Sequence, residues 1–413
     1  MTLLLIENTL LFDGFEPELR EGAAVLVEDG MVKEVAEGAI GTGSAEVTRI
    51  DAGGRVLMPG LIDAHFHAVA ADPNIARLET MSAYHIGQYA RGFLEAALRR
   101  GFTTVRDAGG ADFGLALAVE TGLIEGPRLY YSGKALTQTG GHADFRERAA
   151  EHPAFCLCGQ HGNVMGVIAD GVTEVRRAAR EELRKGATQI KIMASGGVAS
   201  PADPIWNLQY SEEEIAAAVW EAESWKTYVM AHAYTPEAIR RCVELGVKSI
   251  EHGNLIDAET AALCRDRDAW VVPTLATYDA LAEEGSALGL PAVSIAKVAD
   301  VRTTGLEALE ILKAAGVKMG FGSDLLGEMH RHQSREFLIR AEVLSPLEVL
   351  RQATSGNAEL MNRTGKLGCV APGAYADLLL IDGNPLADLE LLQDQGRHMP
   401  LIVKAGEIYK NTL

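Results

Sequence analysis

Leu61-Ile62-Asp63-Ala64-His65-Phe66-His67 closes an apolar run with two histidines two positions apart. Side chains alternate faces along an extended strand, so His65 and His67 point the same way, as two ligands of one metal ion must. A lone His-x-His also arises by chance, and its meaning depends on what recurs elsewhere in the chain.

Outward from this stretch the middle of the chain alternates apolar strands with helix-length segments rich in Ala, Glu, Arg and Leu. Eight strands are expected: Met58 to His67, Thr103 to Ala108, Arg128 to Gly133, Gln189 to Ala194, Tyr228 to Ala233, Ser249 to Gly253, Trp270 to Thr274, and Lys318 to Asp324. Helices are expected over Ala83 to Arg100, Val172 to Lys185, Ser211 to Trp225 and Thr235 to Gly246. Eight such units over some 300 residues fit an α/β fold of the (β/α)8 TIM-barrel type, with a doubly wound sheet as the competing arrangement. Lys191 lies in the fourth strand, and His232, His252 and Asp324 end the fifth, sixth and eighth. Barrel enzymes place their chemistry at the C-terminal ends of the strands, so residues far apart in sequence would converge on one mouth. From Gly133 to about Val172 the connection is roughly 35 residues, where a βα loop normally takes 2 to 6, and such loops commonly cover or line a binding site.

The two ends have a different texture. Leu3 to Ile6, Ala23 to Glu28 and Met31 to Val35 are short apolar runs divided by turns such as Asp13-Gly14 and Asp29-Gly30. Similar runs return in Gly365 to Val370, Ala376 to Gly383 and Pro400 to Tyr409. Neither end has enough strands to bury a core alone, so residues 1–57 and 360–413 are expected to form one discontinuous β-sandwich domain beside a barrel of residues 58–359.

With 413 residues, 47% hydrophobic and 23% charged, the chain has the composition of a soluble globular protein with one large core and a smaller domain. Its net charge of -19 argues against nucleic acid or an anionic membrane as partner. Glu7 interrupts the opening apolar run, which lacks a basic segment and reads as a strand instead of a signal peptide. No run reaches membrane-spanning length, and a cytoplasmic location is expected. The odd set Cys156, Cys158, Cys242, Cys264 and Cys369 makes no disulfide framework; Cys156 and Cys158 with His161 lack the spacing of a structural zinc site.

Taken singly, the strand-end residues have ordinary roles: His232 as a hydrogen-bonded structural histidine, Asp324 as a helix cap. Lys191 is harder to explain, because an ammonium in Ile190-Lys-Ile-Met193 must snorkel, pair with an acid or change its chemistry. Together, Pro59-Gly-Leu-Ile-Asp-Ala-His-Phe-His67, Lys191, Ala231-His-Ala233, Glu251-His-Gly253 and Gly322-Ser-Asp324 resemble the amidohydrolase superfamily in its binuclear form. The resemblance implies two divalent metal ions, zinc suiting the mixed ligands best, with His65, His67 and Asp324 on one and His232 and His252 on the other. It also implies that carbon dioxide converts Lys191 to a bridging carbamate. Two ions about 3.5 to 4 Å apart lower the pKa of a bridging water towards 7, giving a hydroxide that attacks an amide carbonyl, with Asp324 as the proton carrier.

Thr139-Gly-Gly-His-Ala-Asp144, Lys191 to Gly197, His232 to Ile239 and Ser355-Gly-Asn-Ala358 look most like the dipeptidase branch related to imidazolonepropionases, prolidase-like and arginine-directed enzymes included. That resemblance implies a small peptide or N-acyl amino acid substrate whose free carboxylate is held by His142 and Tyr234, and an assembly into homo-oligomers. Packing under the strand-end loops is the ordinary alternative for both residues. Leu325 and Leu326 beside Asp324 suggest a pocket for proline or an apolar residue, whereas Glu328 keeps a C-terminal Arg or Lys open. His330 and His332, a second His-x-His, are expected to be solvated or to face substrate. A cyclic amidase and a non-catalytic binding paralogue are the other readings; Lys191 speaks against one-metal deaminases.

Overall fold

A computed structural model of the chain describes residues 3–43, 46–146, 164–200 and 203–413. Its middle closes as a barrel. Leu61–Phe66, Phe102–Asp107 and Arg128–Tyr131 run parallel in one sheet, and Ile190–Met193, Val229–Ala233, Ser249–His252 and Trp270–Val272 in another. The third strand breaks after Tyr131, turns at Gly133 with φ of 69°, and resumes as Ala135–Thr137 against Ile192 of the fourth. Apart from Arg128 and Tyr130, every residue of these strands is buried, because one face is covered by helices and the other by the barrel interior.

The eighth strand, residues 318–324, is less regular than the sequence suggests. Its backbone bridges the seventh strand through Val271 N to Lys318 O at 3.0 Å, and the first through Ala64 N to Phe321 O and Asp324 N to His65 O, both at 2.8 Å. Gly320 and Gly322 allow this close passage: a Cβ on Gly322 would lie 2.7 Å from the Cβ of His65. The expected strand Met58 to His67 is two strands. Val56–Pro59 belongs to the terminal sheet and Leu61–Phe66 to the barrel, with Gly60 between them pressed against Thr103, whose Oγ1 is 2.0 Å from where a Cβ would stand.

The terminal sheet is mixed and eight-stranded, and both chain ends build it. Leu3–Leu11 pairs antiparallel with Arg20–Glu28 and parallel with Thr48–Asp51 and Val56–Pro59, which in turn pairs antiparallel with Leu378–Ile381 from the far end. Helices Ala83–Arg99, Gly171–Arg184, Glu212–Ser224 and Pro236–Glu244 cover the barrel at the expected places. Their starts follow capping chemistry: Ser211 and Glu214 form a reciprocal capping box, and Thr235 caps a helix with Pro236 in its first turn. Among the described residues no helix is long and apolar enough to cross a membrane.

Candidate active site

The strand ends meet at one mouth. One ligand atom from each of His65, His67 and Asp324 lies within 4.8 Å of the others. Asp324 Oδ1 is 3.3 Å from His65 Nε2 and 3.1 Å from His67 Nε2, and Asp324 Oδ2 is 3.8 Å from His252 Nδ1. His232 and His252 stand beside this group with their ring centroids 4.7 Å apart. Asp324 and His252 adopt left-handed backbone conformations, φ of 54° and 72°, a strained geometry of the kind found at functional sites.

Each imidazole has one nitrogen held by the surrounding protein. His65 Nδ1 meets Glu251 Oε2 at 2.6 Å, His232 Nε2 meets the Gly196 carbonyl at 3.1 Å, and His252 Nδ1 meets Thr274 Oγ1 at 2.8 Å. The second nitrogen of His65 faces Asp324, and among the described residues those of His232 and His252 make no hydrogen bond, so each can offer a lone pair, the arrangement that orients metal-ligating histidines. Glu251 is itself set by a buried ion pair with Arg106 at 3.0 Å, and Arg106 also donates to the Ala64 carbonyl at 2.6 Å. Burial pushes the Glu251 carboxyl up, but Arg106 and His65 prevail and hold it well below the usual range.

The electrostatics call for a cation. Burial and the Lys191 ammonium act to lower the His65 pKa, yet Asp324 and Glu251 prevail and raise it. A positive charge is thus favoured between His65 and Asp324, where a metal ion supplies it without a proton. Burial, reinforced by neighbouring imidazoles and Lys191, depresses His232, and burial likewise keeps His252 neutral, the ligand form. Lys191 is 1% exposed and makes no hydrogen bond or ion pair among the described residues. Burial brings its ammonium down to about 8, with Glu251 and Asp324 opposing. A buried, unpartnered ammonium beside a cluster of ligands is costly as it stands, and the donor set of imidazoles and carboxylate fits divalent metal.

His142 and Tyr234 join this centre. The His142 ring stacks on His232 at 4.2 Å with its Nδ1 3.0 Å from Asp203 Oδ2, and the Tyr234 ring stacks on His252 at 5.1 Å. Gly197 makes room for the first pair, since a Cβ there would lie 2.3 Å from His142 and 2.6 Å from His232. All eight residues border an open cavity of about 660 Å³ whose remaining wall is mainly apolar, with Ile75, Phe145, Met165, Val198, Leu281 and Leu326 prominent.

Some expectations are corrected. His330 is neither solvated nor facing substrate: it is buried between Phe66 and Phe93, with ring centroids 4.5 Å away on each side, and meets the His67 carbonyl at 3.2 Å. His332 pairs with Glu284 at 2.6 Å, outside the cavity. Leu326 borders the cavity whereas Leu325 packs in the core, and Glu328 is exposed away from it. Cys156, Cys158 and His161 lie outside the described residues. Sequence reasoning passed over Tyr278, Phe145, Met165 and Val198 on the cavity wall, and Arg106 beneath it; the long connection after the third strand was the available signal for Phe145 and Met165.

The chain matches the amidohydrolase family over residues 56–407. Ochratoxinase of Aspergillus niger is 34% identical over 372 residues, which cover 86% of this chain and 76% of that protein. Among solved structures, an amidohydrolase superposes with a TM-score of 0.97 at 55% identity, covering 100% of both chains. A prolidase complexed with N-methylphosphonate-L-proline superposes with a TM-score of 0.96 at 50% identity, again over 100% of both. Barrel, ligand-rich mouth and these likenesses agree: the chain belongs to the amidohydrolase family and is a metal-dependent hydrolase.

Proposed function

We propose that the protein hydrolyses the amide bond of dipeptides or N-acyl amino acids that end in a free carboxylate, with proline or an apolar residue at the C-terminal position. The observation that carries this reading is the stacking of His142 and Tyr234 on the imidazoles of His232 and His252, which puts two carboxylate donors beside the candidate metal ligands. A substrate anchored there by its α-carboxylate has its scissile amide close by, because only the α-carbon separates the two groups. His65, His67, His232, His252 and Asp324, with a carboxylated Lys191, would hold divalent ions, zinc in our reading, which would supply Lewis acidity and an acidified water.

The residues divide the remaining work. Lys191, lowered to about 8 by burial, keeps a fraction of free amine at neutral pH; that nitrogen bonds to the carbon of carbon dioxide and releases a proton. Glu251 and Arg106 hold His65 in one tautomer. We assign to Asp324 the transfer of the water proton to the departing amine. Ile75, Val198, Leu281 and Leu326 favour an apolar substrate, and Asp324 is the one carboxylate on the cavity wall among the described residues, which leaves a C-terminal Arg or Lys without an acid to pair with. The likeness to the prolidase supports the same choice.

The test is a panel of Xaa-Pro, Xaa-Leu and Xaa-Arg dipeptides and N-acyl amino acids assayed for amino acid release with zinc-loaded protein and after dipicolinate treatment. Release from the Pro and Leu substrates, abolished by the chelator, is expected. A clear preference for Arg, or no release from any of them, overturns the reading.

A further inference from the structure

Three backbone carbonyls of the chain that follows the fourth strand converge on one side chain from another part of the barrel. Lys297 Nζ donates to the carbonyls of Gly197 and Ser200, each at 2.8 Å, and to that of Asp203 at 2.5 Å. An ammonium has three N–H donors, so these charge-assisted bonds use all of them. Lys297 stands on the helix Ala292–Ala315, between the seventh and eighth strands, and its neighbour Val298 packs in the same apolar cluster as Val198 of the cavity wall. The lysine is half-buried and does not itself border the cavity.

The residues it clamps support His142. The buried Asp203 Oδ2 accepts from the Gly197 amide and from Gln209 Nε2, both at 3.1 Å, and meets His142 Nδ1 at 3.0 Å. Gln209 Oε1 in turn accepts the His142 amide at 2.8 Å. Gly197 and Asp203 are therefore tied twice, to each other through the Asp203 carboxylate and to Lys297 through their carbonyls. Three carbonyls aimed at one point repel one another unless a cation stands between them, so loss of the ammonium lets this chain relax and carries Asp203 out of register with His142. Among the described residues neither Lys297 nor Asp203 bonds a candidate metal ligand.

We infer that Lys297 is a positioning residue for the substrate's free carboxylate: its ammonium holds Gly197 and Asp203 in register, and Asp203 fixes the His142 ring at the cavity. This deepens the proposed function and rests on it, since that reading gives His142 the carboxylate to bind. Affinity for the carboxylate is thus set from the helix between the seventh and eighth strands, apart from the strand ends that carry the candidate metal ligands.

The experiment compares alanyl-proline and alanyl-leucine, each as free acid and as C-terminal amide, on zinc-loaded wild type, Lys297→Met and Lys313→Met, with metal content measured in every sample. Lys313, on the same helix, donates to the Val343 carbonyl at 3.0 Å and controls for loss of a lysine there. Lys297→Met is expected to raise KM for the acids about tenfold, the scale of a hydrogen bond to a charged group, with kcat changed less than about twofold and metal content unchanged. The preference for acid over amide then falls about tenfold, and Lys313→Met behaves as wild type. Amide hydrogen exchange at Gly196 and Gly197, which donate to the Asn207 carbonyl and to Asp203 Oδ2, is expected to quicken in Lys297→Met alone. An unchanged KM for the acids in Lys297→Met, or a fall in kcat and metal content that weakens acid and amide alike, overturns the inference while the proposed function stands. A wild type that shows no preference for the acids overturns both.

Discussion

A buried lysine ammonium without a hydrogen-bond or ion-pair partner among the described residues is expensive, and the proposed role of Lys191 at the metal centre would remove that cost. Lys191→Ala is expected to lower kcat/KM by about a thousandfold or more and to reduce bound metal, while the circular dichroism stays native. Elemental analysis beside the kinetics checks this, and full activity in the variant contradicts the assignment. Glu251 tests the layer beneath. Glu251→Gln leaves the Arg106 guanidinium buried with a neutral partner and releases His65 from its one tautomer. A loss of about 3–5 kcal/mol in urea denaturation is expected, the cost of breaking a buried pair from one side; a loss below about 1 kcal/mol would show that water or a rearranged neighbour replaces it. The candidate ligands were legible in the sequence, since His65 and His67 are a local pattern. Arg106 was not, because its partner is 145 residues away and nothing in its own strand announces the pairing.

At the scale of elements, the first and eighth strands decide the geometry of the centre. Gly322 lets the backbone that carries Asp324 lie against the strand that carries His65, and an added Cβ would also stand 2.7 Å from Val272. Gly322→Ala is expected to cost about 1–3 kcal/mol by overpacking and to lower metal occupancy, because strand separation moves Asp324 away from the two histidines. Gly41→Ala, with nothing within 4 Å of the new methyl and no positive φ, serves as the neutral control. Thermal melts and metal titrations of the pair separate the two; equal behaviour would mean that the eighth strand shifts freely. The strands were readable from their apolar runs, but the interruption at Gly60 was not. A run that passes from one sheet to another keeps the same hydrophobicity, and only the crowding against Thr103 marks the crossing.

At the scale of the molecule, barrel and terminal sheet are bound together: Gly60 N donates to the Asp377 carbonyl at 2.8 Å, Arg128 pairs with the Asp377 carboxylate at 3.2 Å, and Lys404 Nζ donates to the Gly126 carbonyl at 2.7 Å. Cys242 and Cys264, on the inner faces of two barrel helices, report on the same integrity. Burial pushes both thiols up to about 12. The raised value keeps them protonated, so at pH 8 only about one thiolate in ten thousand is present and native alkylation between pH 7 and 9 is expected to leave both unmodified. Peptide mapping after iodoacetamide, with and without urea, checks this; modification of either cysteine in the native protein would reveal local opening of the helical layer. The order and residue types of the candidate ligands can be read along the chain, because alternation along a strand and the strand-helix rhythm are set within a few residues. That His330 is core while His142 faces the cavity, that Leu326 is a wall and Leu325 is not, and that Tyr278 stands behind Tyr234 is visible only in the folded chain. These distinctions depend on which strand ends converge once the barrel closes, and convergence is a property of the closed sheet that no local pattern encodes.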